Sequence, residues 1–342
     1  MIIGGLLLLA IFLLSWALTW GVRRYALTKS LMDIPNERSS HSVPTPRGGG
    51  VAIVISFLLA LPIFGWLGLM DHAALVALSG SGLLVALIGF ADDHGHIAAR
   101  WRLLGHFLAA IWALFWLGGL APISVLNRTV DLGWMGHALA AVYLVWMLNL
   151  YNFMDGIDGL ASAEALCACL GIALVYALIG AVEPIWGVLA MSAAVGGFLC
   201  WNFPPARIFM GDAGSGFLGI ALGIMSLDAA THSPELLWSW VILLGAFVVD
   251  ATLTLCRRLL NGEKVYQAHR SHAYQYAARH FKSHKAVTLA VTGLNLCWLM
   301  PWAVVVALGL VPGVAGLIAA YIPLFWLAIR FQAGTREMPP IS

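Results

Sequence analysis

Long apolar runs separated by short polar breaks dominate this chain. Eleven such runs lie near 2–20, 50–70, 74–90, 103–120, 135–151, 160–180, 184–201, 215–229, 236–256, 286–308 and 313–332. Each is close to the roughly 20 residues an apolar helix needs to cross a bilayer. Inside lipid the backbone must satisfy its own hydrogen bonds, so each run predicts a helix. The expected fold is all-α: a polytopic membrane protein of about eleven spans, forming a single domain over 1–342. No internal repeat is visible, which disfavours an inverted-repeat transporter.

Basic residues give the arrangement a direction. Seventeen of the eighteen Lys and Arg fall in alternate breaks, near 21–49, 91–102, 202–214 and 256–285 and in the tail, and only Arg128 falls on the other side. The positive-inside bias makes the first set cytoplasmic, with the N-terminus outside and the C-terminus inside. At 61% hydrophobic and 10% charged, the chain is far from a soluble domain, which carries about a quarter charged residues. Nothing predicts nucleic-acid binding. Met1 to Trp20 lacks a basic leader and a clear cleavage site and reads as a retained helix. The five cysteines form no CxxC pair, so neither a disulfide framework nor a zinc site is expected.

The polar breaks on the cytoplasmic side carry the candidate chemistry. Carboxylates near a bilayer are expensive and mark function. Asp92-Asp93 follows Phe90 and reads either as solvated helix end or as a Mg²⁺ ligand with a general base, because adjacent carboxylates invite a cation between them. His94 and His96 leave a transition metal open. In Asn152-Phe153-Met154-Asp155-Gly156-Ile157-Asp158-Gly159-Leu160, Asp155 and Asp158 share a face on a helical turn. Met210-Gly211-Asp212-Ala213-Gly214-Ser215-Gly216 feeds a helix N-terminus, which suits phosphate. It is not a P-loop. The basic stretch with His269-Arg270-Ser271-His272, Lys264, Tyr266, Tyr274 and Gln275 offers groups for phosphate or nucleotide, or is an ordinary positive loop. The segment from Asp33 through Arg47 to Gly50 is an ordered loop over the site or a plain connector. Asp250 calls for a partner, with Arg257 or Arg258 as candidates, and Glu164 reads as a polar helix-face residue.

Taken in order, these motifs resemble the polyprenyl-phosphate N-acetylhexosamine-1-phosphate transferase superfamily, glycosyltransferase family 4, over about residues 20–285. The stretch His269 to Gln275 lacks the histidine run of the phospho-MurNAc-pentapeptide branch. It is similar to the bacterial O-antigen-initiating branch, which uses N-acetylfucosamine or N-acetylquinovosamine phosphate. The resemblance implies transfer of a sugar-1-phosphate from a UDP-N-acetylhexosamine to undecaprenyl phosphate, with release of UMP, at the cytoplasmic face of a bacterial inner membrane. It implies Mg²⁺, with Mn²⁺ as a substitute, and a homodimer. On that basis Asp92 and Asp93 are expected to be catalytic, with Asp92 activating the acceptor phosphate. Asp212, Asp93 and Asp158 are expected to bind metal. Asn152, Asp155, Asp158, Gly214, His269, Arg270, His272 and Arg47 are expected to bind substrate. A sibling GlcNAc or MurNAc-pentapeptide transferase, and a secondary transporter of an anionic solute, are the alternatives.

Overall fold

A computed structural model describes residues 2–29, 31–35, 40, 43–95, 97–125, 128–263 and 269–335. Asn36, Glu37, Arg38, Ser39 and His41 of the 33–50 segment, together with His96, Lys264 and Tyr266, lie outside the described residues. The helices are α1 (Ile2–Thr28), α2 (Val51–Trp66), α3 (His72–His94), α4 (Ala99–Leu117), α5 (Gly133–Met154), α6 (Leu160–Ile179) and α7 (Ile185–Asn202). They continue with α8 (Asp212–His232), α9 (Pro234–Leu243), α10 (Gly245–Leu260), α11 (Ala273–Phe281), α12 (His284–Leu294), α13 (Met300–Ala307) and α14 (Gly313–Arg330). Two short antiparallel ladders supplement them, β1 (Met32–Asp33) with β2 (Thr45–Pro46) and β3 (Ile123–Val125) with β4 (Arg128–Val130).

The fold is that of an all-α polytopic membrane protein. Among the described residues eight helices are long and apolar enough to cross a bilayer, or nine if the pair α9–α10 is one bent span. The runs expected at 50–70 and 103–120 are helices as well. However, α2 is only 16 residues long and α4 opens on Arg100 and Arg102, so neither meets the same length and apolarity.

Two other runs are helical with interruptions. The run at 236–256 breaks at Leu244, where α9 and α10 meet at 71°. The run at 286–308 contains a π-helical turn at Asn295–Leu299, just before Pro301, whose missing N–H disturbs the hydrogen-bond ladder.

Helix α8 is the axis of the molecule and is almost wholly buried. It packs against α3 and α5. Small residues let backbones approach: a Cβ on Gly219 would run into Met147 and Leu148 of α5, and one on Gly89 would lie 2.6 Å from the backbone of Asp212 and Ala213. This is the small-residue packing that holds helices together where the hydrophobic effect between them is absent. It brings the α3 C-terminus directly against the α8 N-terminus.

Candidate active site

The C-terminal ends of α3, α5 and α7 and the N-terminal ends of α4, α6 and α8 meet, so the polar breaks between them converge at one end of the bundle. The central contact there is between two glycines. Gly49 and Gly50 donate their N–H groups to the carbonyls of Phe209 and Met210 (2.9 and 2.8 Å). The backbones of Gly50 and Gly214 come so close that a Cβ on either would lie within 2.6 Å of the other's Cα. This docks the 45–50 segment onto the start of α8. Gly211, with φ +81°, makes the turn into that helix, a conformation glycine adopts without strain.

Asp93 completes the junction. Its carboxylate accepts from the N–H groups of Asp212 and Ala213 (3.2 and 3.3 Å) and lies 3.0 Å from the Arg47 guanidinium. It is thus a cap on α8 supplied by another helix. Arg47 also reaches Asp212 at 2.5 Å. Burial works against the Arg47 charge, but Asp212, Asp93, Asp33 and Asp155 outweigh it and raise its pKa further. Asp92 accepts from the Ile97 N–H (2.8 Å) and pairs with Arg102, which lies 3.9 Å from Asp212. Arg102 therefore links Asp92 to Asp212 across the rim.

Asn152 at the end of α5 donates to Ser215 Oγ (3.1 Å). Asn202 at the end of α7 accepts from Gly159 N–H and Ser162 Oγ (both 3.1 Å) and donates to the Ile208 carbonyl (3.0 Å). It binds the start of α6 to the 203–209 loop. Asp158 accepts from the Ala206 N–H (3.0 Å) and meets His284 Nδ1 at 3.1 Å, and His284 Nε2 reaches the Ser40 carbonyl (2.9 Å).

These residues enclose a polar cleft of about 330 Å³ lined by Arg47, Asn152, Asp155, Asp158, Asp212, Ser215, Gln275 and His284, among others. Asp155 is half-buried in its wall. The surrounding protein pushes its carboxyl well above the usual range. Arg47 pulls it back in part, while Asp212, Asp93 and Asp158 push it further. Acidic oxygens crowded around one space suit a hard divalent cation such as Mg²⁺ or Mn²⁺, which prefers oxygen ligands and keeps several waters. Asp212 and Asp155 fit that role. Asp93 is committed to the α8 terminus, and Asp158 to Ala206 and His284. No cluster of three or more His, Cys, Asp or Glu ready to hold a metal occurs among the described residues.

Several of the expected substrate-binding residues lie away from the cleft. Gly214 is buried against Gly50 and does not line the cleft. His272 is 3% exposed, lies 3.4 Å from Asp250 and stacks near Phe153 and Tyr274. It precedes α11 as part of the packing. Neither His269 nor Arg270 lines the cleft. Burial, then the neighbouring His272 and Arg258, push the His269 imidazole down to about 3. It is neutral near pH 7 and brings no charge to a phosphate. Asp250 does not pair with Arg257 or Arg258. It accepts from the Ala273 and Tyr274 N–H groups (2.9 and 3.0 Å) and caps α11, while Arg258 pairs with Glu263 and Arg257 donates to the Ala333 carbonyl.

Sequence reasoning missed Arg102, Asn202, Ser215 and His284 as site residues. Each is a polar residue within a turn of a helix terminus at this end of the bundle, which was the available signal.

Beside the polar cleft runs an apolar groove of about 500 Å³ between α10, α11, α12 and α14. The first turn of α11 separates the two: Gln275 faces the cleft, and Tyr274 faces the groove and donates to the Phe153 carbonyl (3.0 Å).

The structure is a bundle of apolar helices with a carboxylate-and-arginine cleft at one end and an apolar groove on the other side of the first turn of α11. Residues 75–230 match the glycosyl transferase family 4 model. The chain is 30% identical over 276 residues to the probable undecaprenyl-phosphate N-acetylglucosaminyl 1-phosphate transferase of Bacillus subtilis, covering 79% of this chain and 76% of that one. It is 27% identical over 378 residues to the decaprenyl-phosphate N-acetylglucosaminephosphotransferase of Mycolicibacterium smegmatis, covering 95% and 89%. It is 33% identical over 202 residues to the phospho-N-acetylmuramoyl-pentapeptide-transferase of Moorella thermoacetica, covering 55% and 62%. The chain belongs to glycosyl transferase family 4.

Proposed function

We propose that this protein transfers an N-acetylhexosamine-1-phosphate from a UDP-sugar to undecaprenyl phosphate, releasing UMP, at the cytoplasmic face of a bacterial inner membrane. In this reading the chain crosses eleven times, with the N-terminus outside. The observation that carries it is the shared wall. A polyprenyl phosphate has a charged head and a long apolar tail, and here a polar cleft and an apolar groove meet at Tyr274 and Gln275. A soluble anionic donor fits the cleft alone. The FucNAc and QuiNAc donors follow from the 269–275 stretch, and the relatives' names support a GlcNAc donor equally.

An oxygen of the acceptor phosphate attacks the sugar-bearing phosphorus of the donor. The bond from that phosphorus to the bridging oxygen breaks, and the electron pair leaves with UMP. A phosphate monoester is largely dianionic near pH 7, so the acceptor needs no strong base. Asp92, already engaged with Arg102, is better placed to hold that arginine than to remove a proton. Arg47 and Arg102 grip phosphate oxygens. Asn152 and Ser215 orient the cleft wall. Asp212 and Asp155 would hold Mg²⁺, which when bound supplies charge neutralisation between anionic reactants.

The test is purified protein with undecaprenyl phosphate, Mg²⁺ and a panel of UDP-N-acetylhexosamines, read by UMP release. Lipid-dependent UMP is expected, and the best donor names the branch. No UMP from any donor, with folded protein, would refute the reading.

A further inference from the structure

Glu164 sits one turn beyond Leu160 in α6, 1% exposed in an apolar interior, and the transfer chemistry leaves it no task. A buried acid in a membrane helix is costly, and a packed apolar residue in its place is often no worse for stability. Its surroundings suggest what it does. Asn295, itself 2% exposed and the first residue of the π-helical turn, donates its Nδ2 to Glu164 Oε2. The Phe247 N–H lies near the same carboxylate, whose buried Oε1 accepts no well-formed hydrogen bond. That N–H belongs to the first turn of α10, immediately after the 71° break, where helix geometry leaves donors without an intrahelical acceptor. The other side of the break is also held: Tyr321 of α14 donates its hydroxyl to the Val241 carbonyl (2.7 Å).

The three walls joined at Glu164 are walls of the apolar groove. Leu160, Phe247 and Leu294 line it. They lie one turn before Glu164, at the residue whose N–H lies near the carboxylate, and immediately before Asn295. The Tyr151 ring packs 5.0 Å from the Phe247 ring and braces the same point from α5.

We propose that Glu164 is a positioning residue for the lipid acceptor: with Asn295 it clamps α6, the α10 terminus and the π-helical turn together from behind, and so sets the inner end of the groove that takes the polyprenyl tail. The inference rests on the acceptor assignment above. Glu164 lines neither the cleft nor its rim, and the segments it holds form the groove wall. Losing the clamp therefore weakens binding of a long-chain acceptor while leaving the donor and a short-chain acceptor alone.

The experiment compares wild type, Glu164→Leu, Asn295→Leu and Glu164→Gln in the UMP-release assay, using undecaprenyl phosphate and a short-chain isoprenyl phosphate. Glu164→Leu and Asn295→Leu should raise KM for undecaprenyl phosphate about tenfold, with the donor KM and the short-chain rate unchanged. Glu164→Gln keeps an oxygen for the Asn295 Nδ2 and should restore the wild-type KM. Should Glu164→Leu fail to fold, Asn295→Leu carries the test. An unchanged long-chain KM, or equal losses with both acceptors, would overturn the clamp. Absence of acceptor-dependent UMP from wild type is read before any variant; it would refute the transferase reading itself and the clamp with it.

Discussion

Asp93 and Asp212 are both acids beside Arg47, but substituting them should have different consequences. Replacing Asp93 by Ala removes the acceptor for two N–H groups at the start of α8. A lost N-cap costs about 0.5–2 kcal/mol, and the favourable charge at a helix N-terminus adds about 0.3–1 kcal/mol. The ion pair with Arg47 adds less than about 1 kcal/mol, because that arginine is 40% exposed and screened. Together these terms come to about 1–4 kcal/mol, at a junction where α8 meets α3 and the 45–50 segment. Among the described residues Asp212 instead pairs with Arg47 and Arg102, 40% and 33% exposed, and stands in the first turn of α8 without capping it, so Asp212→Ala should cost about 1 kcal/mol. Thermal unfolding in detergent, beside UMP release, separates the two. Asp93→Ala should lower Tm by several degrees and lose activity with structure. Asp212→Ala should keep a near-native Tm and lose turnover. A native Tm for Asp93→Ala, or equal shifts for both, would refute the division of roles.

Asp92 and Arg102 act as a unit, so Asp92→Asn and Arg102→Met should each cut kcat about tenfold, and the double variant no further; additive losses would show independent roles. Gly214→Ala places a methyl 2.6 Å from the Gly50 Cα and should destabilise by about 1–3 kcal/mol, with an unchanged donor KM in the folded fraction; a raised KM at native stability would restore it to the binding surface. Gly156→Ala drives a methyl into the Tyr274 hydroxyl and should reduce turnover with both long and short acceptors. His269, held at about 3 in the folded protein against an ordinary value near 6.5, takes up protons more readily when unfolded. Its contribution is therefore complete above about pH 6.5 and lost as pH falls towards 3. His269→Asn should flatten the fall of Tm with pH in that window, and an unaltered slope would argue against a buried neutral imidazole.

The breaks that hold the site were legible because carboxylates between apolar runs have few structural reasons to be there. Their separate roles were not. Asp92 and Asp93 look equivalent as a pair, but α3 continues through them to His94. Adjacent residues on a helix point about 100° apart, which sends one to Arg102 and the other to the α8 terminus. Arg102 carried a charge that the positive-inside pattern already explained, so its link to Asp212 had no separate signal. The 269–272 stretch has the composition of an anion site, yet it leads straight into the Ala273 and Tyr274 N–H groups that Asp250 caps to start α11. A long-range cap of this kind depends on α10 bending at Leu244, and no proline or paired glycine announces that bend. Glu164 read as a polar face because its partner lies 131 residues away at Asn295.

The ionic balance of the cleft makes one further demand. Arg47 lies between Asp212 and Asp93, with Asp155 close enough to be felt. A diphosphate approaching Arg47 must therefore also approach carboxylates, and in a confined site that repulsion is poorly screened. A divalent cation on Asp212 and Asp155 removes it, so nucleotide and cation should bind cooperatively, each strengthening the other by the same factor, about tenfold or more. Calorimetric titration of UDP into the protein with Mg²⁺, and again after EDTA, measures the coupling. Asp212→Asn removes one of the repelling charges and one metal ligand together. It should bind UDP without Mg²⁺ more tightly than wild type does, and gain little when Mg²⁺ is added. UDP affinity indifferent to Mg²⁺ in the wild type would mean that Arg47 alone governs the phosphates and that the crowded carboxylates serve the fold.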